Sequence, residues 1–311
     1  MDKRLIIGHN SLDEIMNRTK FSDLLEYEDK VVSIYADCGL RINVTSRIFQ
    51  YFTFLRRIET ERKKGSGEFN TFFEKDKARN YFGLYHVSEL KDIVDALEKT
   101  TQDINIVRAK LVDLANGTYL LSEENPEDTK SRNTTFELSL FSFLHKLGTN
   151  VSLGEPNPDL RVSTPKFNYN IECKRPASAD TVARNIKRAL KQLRKPSLPA
   201  GVPTIAISLD KILMNDDLIL DSFNEQTSLE KLDQILMSYA QVNKRQLDNI
   251  CGSEPCVVLY YLSCLVGFQT KDIPLARATY MIGNVYNFES NLSQNIYTDL
   301  KMFTVPDNQT H

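Results

Sequence analysis

Three ionisable residues, Asp159, Glu172 and Lys174, lie in the stretch NPDLRVSTPKFNYNIECKRP (157–176), which otherwise reads as two short strands and a turn. In a strand, alternate residues share a face. Asn170, Glu172 and Lys174 therefore fall on one face, and Tyr169, Ile171 and Cys173 on the other. In the preceding strand Asp159, Arg161 and Ser163 share a face, with Leu160 and Val162 opposite. A turn over 164–167 would pair Ser163 with Asn168, and counting back sets Asp159 across from Glu172. Facing residues have Cβ atoms about 4.5–5.5 Å apart, and a one-residue slip would move Glu172 to the wrong face.

Two carboxylates that close repel, so one must gain a proton or both must find a cation. Lys174 neutralises part of the charge, and a divalent metal would do more. Magnesium takes one or two carboxylates together with waters and phosphate oxygens. It would make a bound water more acidic. A buried lysine shifts its pKa readily and can position or deprotonate such a water.

These residues carry a resemblance. Pro158-Asp159 followed by Glu172-Cys173-Lys174 across a hairpin, behind a helix bearing Glu137, resembles the PD-(D/E)XK nuclease superfamily, the restriction-endonuclease-like fold. The resemblance covers about residues 133–210. It implies Asp159 and Glu172 as ligands of Mg²⁺ or Mn²⁺, with the Cys173 backbone carbonyl a third ligand. It further implies Lys174 as the catalytic lysine and Glu137 as a ligand or supporting acid. Some members carry a glutamine on the helix after the second strand, and Gln192 is the matching residue. The Q-x-x-x-Y pattern of one subgroup is not met, because Pro196 stands where its tyrosine would be, so no subgroup is assigned. Glu155 is a nearby acid that competes with Glu137 for its role.

The elements that must position these residues follow from periodicity. TTFELSLFSFLHKLG reads as a helix ending at Gly148. NVSL, PDLRVS, NYNIECK, PTIAISL, CVVLYYLSCLV and ATYMIGNVYN read as strands. DTVARNIKRALKQLRK reads as a strongly amphipathic helix between the third strand and the fourth. At about 100° per residue, Arg184, Lys187, Arg188, Lys191 and Lys195 gather on one side. Val182, Ile186, Ala189, Leu190 and Leu193 gather on the other, which faces the sheet. No acid interrupts 181–196. Surface helices ordinarily mix signs, so this stripe suits a phosphate backbone. Asn185 and Gln192 lie along one flank.

Residues 1–125 read as a mostly helical N-terminal domain. NVTSRIFQYFTFLRRIETERKK is a helix stopped by GSG at 65–67. SELKDIVDALEKTTQDINIVRAKLVDLANG is helical, with Ser88 as its N-cap and Asn116-Gly117 as its stop. SEENPEDTKSRN (122–133) is the best linker, leaving an α/β domain over 126–311 with a mixed sheet flanked by helices.

Composition bounds the rest. The 311 residues are 41% hydrophobic and 26% charged, with a net charge of −2. That excludes a generally basic protein, so any nucleic-acid surface is a local patch. Five cysteines without framework spacing imply reduced thiols and a cytoplasmic protein. Cys251 and Cys256 have no second pair at zinc spacing, Cys264 lies in an apolar strand, and His145 suits a helix C-terminal turn. The N-terminal apolar run is too short for a signal peptide, and none spans a bilayer. The expectation is a Mg²⁺- or Mn²⁺-dependent nuclease, with DNA favoured over RNA by the resemblance alone, no membrane partner, and a homodimer left open. The alternatives are an inactive nucleic-acid-binding module and a protein-interaction subunit acting through the helical region.

Overall fold

A computed structural model describes residues 5–7, 16–17, 21–119, 130–214, 219–222, 224–252, 254–268, 276–286 and 290–301. The chain is α/β. Its strands are β1 (Leu5–Ile7), β2 (Met16–Asn17), β3 (Asn150–Leu153), β4 (Leu160–Ser163), β5 (Asn168–Lys174), β6 (Val202–Ser208), β7 (Ile219–Ser222), β8 (Cys256–Phe268) and β9 (Ala276–Tyr286). They form one mixed sheet in the order β1-β9-β8-β6-β5-β4-β3, with β2 also on β9 and β7 also on β8. Strand β4 runs antiparallel between β3 and β5, while β5, β6 and β8 run parallel. All six strands expected from the pattern are present.

The helices are α1 (Phe21–Asp37), α2 (Arg47–Lys64), α3 (Ser66–Lys75), α4 (Lys77–Lys99), α5 (Ile104–Ala115), α6 (Lys130–Lys146), α7 (Ala179–Leu193), α8 (Asp210–Leu213), α9 (Glu225–Cys251) and α10 (Asn291–Leu300). Helix α6 packs on β3 and β5, and α4 and α5 pack on α6. Helices α7 and α9 pack on each other, α7 against β5 and β6, α9 against β7, β8 and β9. Residues 169–173 of β5 are all buried, as expected of a strand covered on both faces.

Several helix boundaries differ from the sequence reading, among them a break in the expected 88–117 run, where α4 ends at Lys99 and Asp103 caps α5. Gly65, at φ 130°, ends α2, but α3 begins at the next residue, so GSG is a joint between two helices. The aromatic stretch NYFGLYHVS is helical, and Ser88 is buried inside α4 instead of capping it. Tertiary burial of Tyr85, Val87 and Leu90 carries the helix through a residue whose hydroxyl would suit a cap. The stop at Asn116-Gly117 holds: α5 ends at Ala115, and Gly117 takes φ 94°. Of the linker, 122–129 lie outside the described residues, as does the expected domain boundary, and Lys130–Asn133 form the first turn of α6.

The helical layer and the sheet share one continuous apolar core, running from Leu24 and Tyr51 through Phe141 and Ile205 to Ile282. The first strands lie within the region read as helical, and β1 extends the sheet beyond β9. The long helix α9, with Leu229, Leu232, Leu236, Ala240 and Leu247 inward, had not been singled out in the sequence. All five cysteines are buried free thiols. Among the described residues no helix is long and apolar enough to cross a membrane.

Candidate nuclease site

The hairpin that carries the acidic residues takes the counted register. Ser163 pairs with Asn168, Val162 with Tyr169, Arg161 with Asn170 and Leu160 with Ile171. Asp159 lies one residue before the first paired position, and extending the alignment by one sets it across from Glu172. The turn is fastened by Thr164, whose N–H donates to the Phe167 carbonyl (2.9 Å) and whose hydroxyl accepts from the Phe167 N–H (2.9 Å). On the other side of Asp159 its carbonyl accepts from the Gly154 N–H (2.9 Å). A Cβ at Gly154 would fall 2.1 Å from the Pro158 carbonyl oxygen, so only glycine lets the chain close there.

Asp159 and Glu172 are both buried, and each enters a different pair of bonds. Asp159 Oδ2 accepts from the Cys173 N–H at 2.7 Å. Glu172 Oε1 accepts from Lys174 Nζ at 2.8 Å, whereas Glu172 Oε2 is buried without a hydrogen-bond partner. Glu137, projecting from α6, is also buried, and its Oε2 accepts from Lys110 Nζ at 2.5 Å. The resemblance nominates the Cys173 carbonyl, but the contact that residue makes with the acids runs through its N–H.

Electrostatics joins these groups into one site. Burial pushes the Asp159 carboxyl up to about 7, and the charges of Glu137 and Glu172 add to the rise. Burial also raises Glu172; Lys174 is the strongest opposing influence, and Lys110 opposes as well. Burial alone would depress the Lys110 ammonium, but the Glu137 carboxylate outweighs it and holds the pKa above the usual lysine value. Three acids and two lysines thus share a largely buried cluster with one negative charge in excess when all are ionised.

The donor set suits a divalent cation only in part. Among the described residues no three His, Cys, Asp or Glu side chains gather closely enough to hold a metal ion together. The reason is visible in the pairing: Lys110 holds Glu137, and Lys174 holds one oxygen of Glu172. Asp159 and Glu172 nonetheless meet magnesium's need for one or two carboxylates. Glu172 Oε2 is left without a hydrogen-bond donor, and Asp159 is raised by burial first and by the neighbouring acids second, so these two carboxylates are the residues that could hold a cation.

The surrounding residues sort cleanly. Gln192 Nε2 donates to Asn157 Oδ1 (3.3 Å), linking α7 to the loop that delivers Asp159. Asn185 turns back to the Thr181 carbonyl of its own helix (2.9 Å). Arg184, Lys187, Arg188 and Lys191 are exposed on α7, while Val182, Ile186, Ala189, Leu190 and Leu193 are buried, as the helical wheel predicts. Lys195, read as part of the same helix, is exposed but lies beyond its end, because α7 stops at Leu193 with Arg194 as its C-cap. Glu155 is exposed and outside the cluster. His145 sits in the last turn of α6 and stacks on Phe141.

Lys110 was missed, and its signal was present. Val107, Leu111 and Leu114 form the buried stripe of α5, and Lys110 stands among them at helical spacing. A lysine on the apolar face of a helix needs a buried partner. No family model matches the chain, and no curated protein matches it.

Proposed function

We propose that the chain is a divalent-cation-dependent nuclease that hydrolyses phosphodiester bonds, with a restriction-endonuclease-like core formed by α6, β3, β4, β5, α7 and β6. The observation that carries this reading is the apposition of buried Asp159 and Glu172 beside Lys174, with an orphaned carboxylate oxygen facing no donor. The element order and the acid on the leading helix agree with the resemblance on the same residues. DNA is the preferred substrate by that resemblance, and nothing in the residues separates it from RNA.

Asp159 and Glu172 would hold Mg²⁺ or Mn²⁺, and Glu137 could join them once Lys110 lets go. The ion would supply charge neutralisation and a more acidic water. Lys174, partly exposed at the end of β5, would orient the attacking water and take or share its proton. Burial of the acids excludes bulk water and strengthens each charge interaction. The exposed cations of α7 would track the phosphates without reading bases.

The test is cleavage of single-stranded DNA, duplex DNA and RNA in Mg²⁺ or Mn²⁺ and in EDTA. Wild type should cleave at least one of them only with metal, and Asp159→Ala and Glu172→Ala should not. The second reading, a nucleic-acid binder without catalysis, draws on the two lysines that already neutralise Glu137 and Glu172. Binding that survives EDTA with no cleavage under any metal would select it.

A further inference from the structure

Lys110 comes from α5, within the region expected to be a separate helical domain, yet its ammonium lies 2.5 Å from Glu137 Oε2. Its side chain and that of Glu137 are about equally enclosed, at 10% and 11% exposure. Its charge acts on Glu172 as well as on Glu137, and Asp159 and Cys173 act on it in turn. Among the described residues no other cation pairs with Glu137, whereas Lys174 is committed to Glu172. Two lysines from two parts of the chain therefore hold two of the three acids, and Asp159 bonds to the Cys173 N–H instead.

We propose that Lys110 is a positioning residue of this site: it draws Glu137 away from Asp159 and Glu172 and sets a positive charge against any divalent cation placed between them. The helical layer thereby governs how tightly the site takes its metal. This rests on the cation-binding reading above. A lysine that merely stabilised the fold would leave metal affinity unchanged when replaced. A lysine that holds back the third acid must change it in a direction that charge dictates. Removing it deletes one repelling charge from a dry site and frees Glu137 to approach, and both effects favour the cation.

The experiment is direct Mn²⁺ binding by calorimetry, without nucleic acid, on wild type, Lys110→Met, Lys110→Arg, Glu137→Gln and the Lys110→Met/Glu137→Gln double variant. Lys110→Met should bind Mn²⁺ tighter by about tenfold, the effect of one nearby unit charge at a part-buried site. Lys110→Arg, which keeps the charge, should stay within about twofold of wild type. In the Glu137→Gln background the gain from Lys110→Met should shrink, because its partner is gone. Should Lys110→Met fail to fold, the double variant leaves no unpaired buried charge, and it is compared with Glu137→Gln alone. There a residual gain smaller than the full tenfold is expected, and none at all overturns the role of charge. Equal affinities for wild type and Lys110→Met, or equal shifts for Met and Arg, overturn the proposal while leaving the site standing. Wild-type protein that binds no Mn²⁺ and cleaves nothing overturns the site, and this role of Lys110 with it.

Discussion

Lys174 and Glu172 stand two residues apart on β5 and pair at 2.8 Å, and their roles separate experimentally. Under the proposed reading, Lys174→Ala removes the group that would act on the reacting water and leaves the exposed cations of α7 in place. It should lower kcat by about 10²-fold or more, while nucleic-acid affinity in Ca²⁺ or EDTA changes little. Single-turnover kinetics beside a binding titration checks this, and wild-type kcat would remove the assignment. Asp159 yields a second prediction at the same scale. Its folded pKa, about 7, lies above the ordinary unfolded value near 4. Between those values the folded protein keeps a proton that the unfolded chain has lost, so stability contributed by this group falls as pH rises from about 4 to about 7. Asp159→Asn keeps an oxygen for the Cys173 N–H and has no such titration. Without metal, the variant should be more stable than wild type at pH 8 by on the order of 3 kcal/mol, and nearly equal at pH 4. Added Mg²⁺ should narrow the gap at pH 8. Urea denaturation across pH reads it directly.

At the scale of elements, α7 was legible almost completely. Its buried set, its exposed cations and its place between β5 and β6 all follow from one amphipathic period. The hairpin register was equally legible, because a one-residue slip would put Leu160 and Val162 on the opposite face from Tyr169 and Ile171, and a turn at 164–167 selects among the alignments that remain. Lys110 and Ser88 were not, since each has a residue type that suits the surface and is overruled by neighbours distant in the chain. The linker at 122–133 shows the same limit, for its last residues are polar in sequence but Arg132 lies deep in the interior, donating to the Thr118 and Tyr119 carbonyls. The exposed stripe of α7 makes the element-scale prediction. Each phosphate contact releases counterions, giving a slope of log K on log salt of about 0.9 per contact on duplex DNA. Lys187→Ala with Lys191→Ala should flatten that slope by roughly one to two units and weaken all sequences alike. An unchanged slope would mean that substrate approaches from elsewhere.

For the whole molecule, the shared core decides how the chain unfolds. Helices α4 and α5 cover α6, and α6 covers the sheet, so neither part can expose its inner surface without loss to the other. Arg47 of α2 reaches across to Thr135 Oγ1 at 2.5 Å and to the Ser131 carbonyl at 3.3 Å, both in α6. The His86 ring of α4 lies 2.9 Å from Arg132 of α6, and burial pushes that imidazole down to about 3, which keeps it neutral. These buried polar ties cost several kcal/mol when one member is removed. Chemical denaturation should therefore give a single cooperative transition, coincident by far-UV circular dichroism and tyrosine fluorescence. Two resolved transitions would show that the helical layer is independent after all.

Between its end turns, helix α6 has no exposed face. Every residue from Thr134 to Leu144 is buried, among them Ser139, whose hydroxyl donates to Glu89 at 2.6 Å. A systematic substitution library would record this as an unusual footprint. Tolerance along α7 should rise and fall every three to four positions, with Lys187 and Lys191 accepting most replacements in a folding screen. Along α6 the rhythm should vanish, and serines and threonines should be as unforgiving as leucines. Natural drift through this segment would be slow even if the acids of the site were lost, so a descendant that gave up its chemistry would still carry α6 almost unchanged.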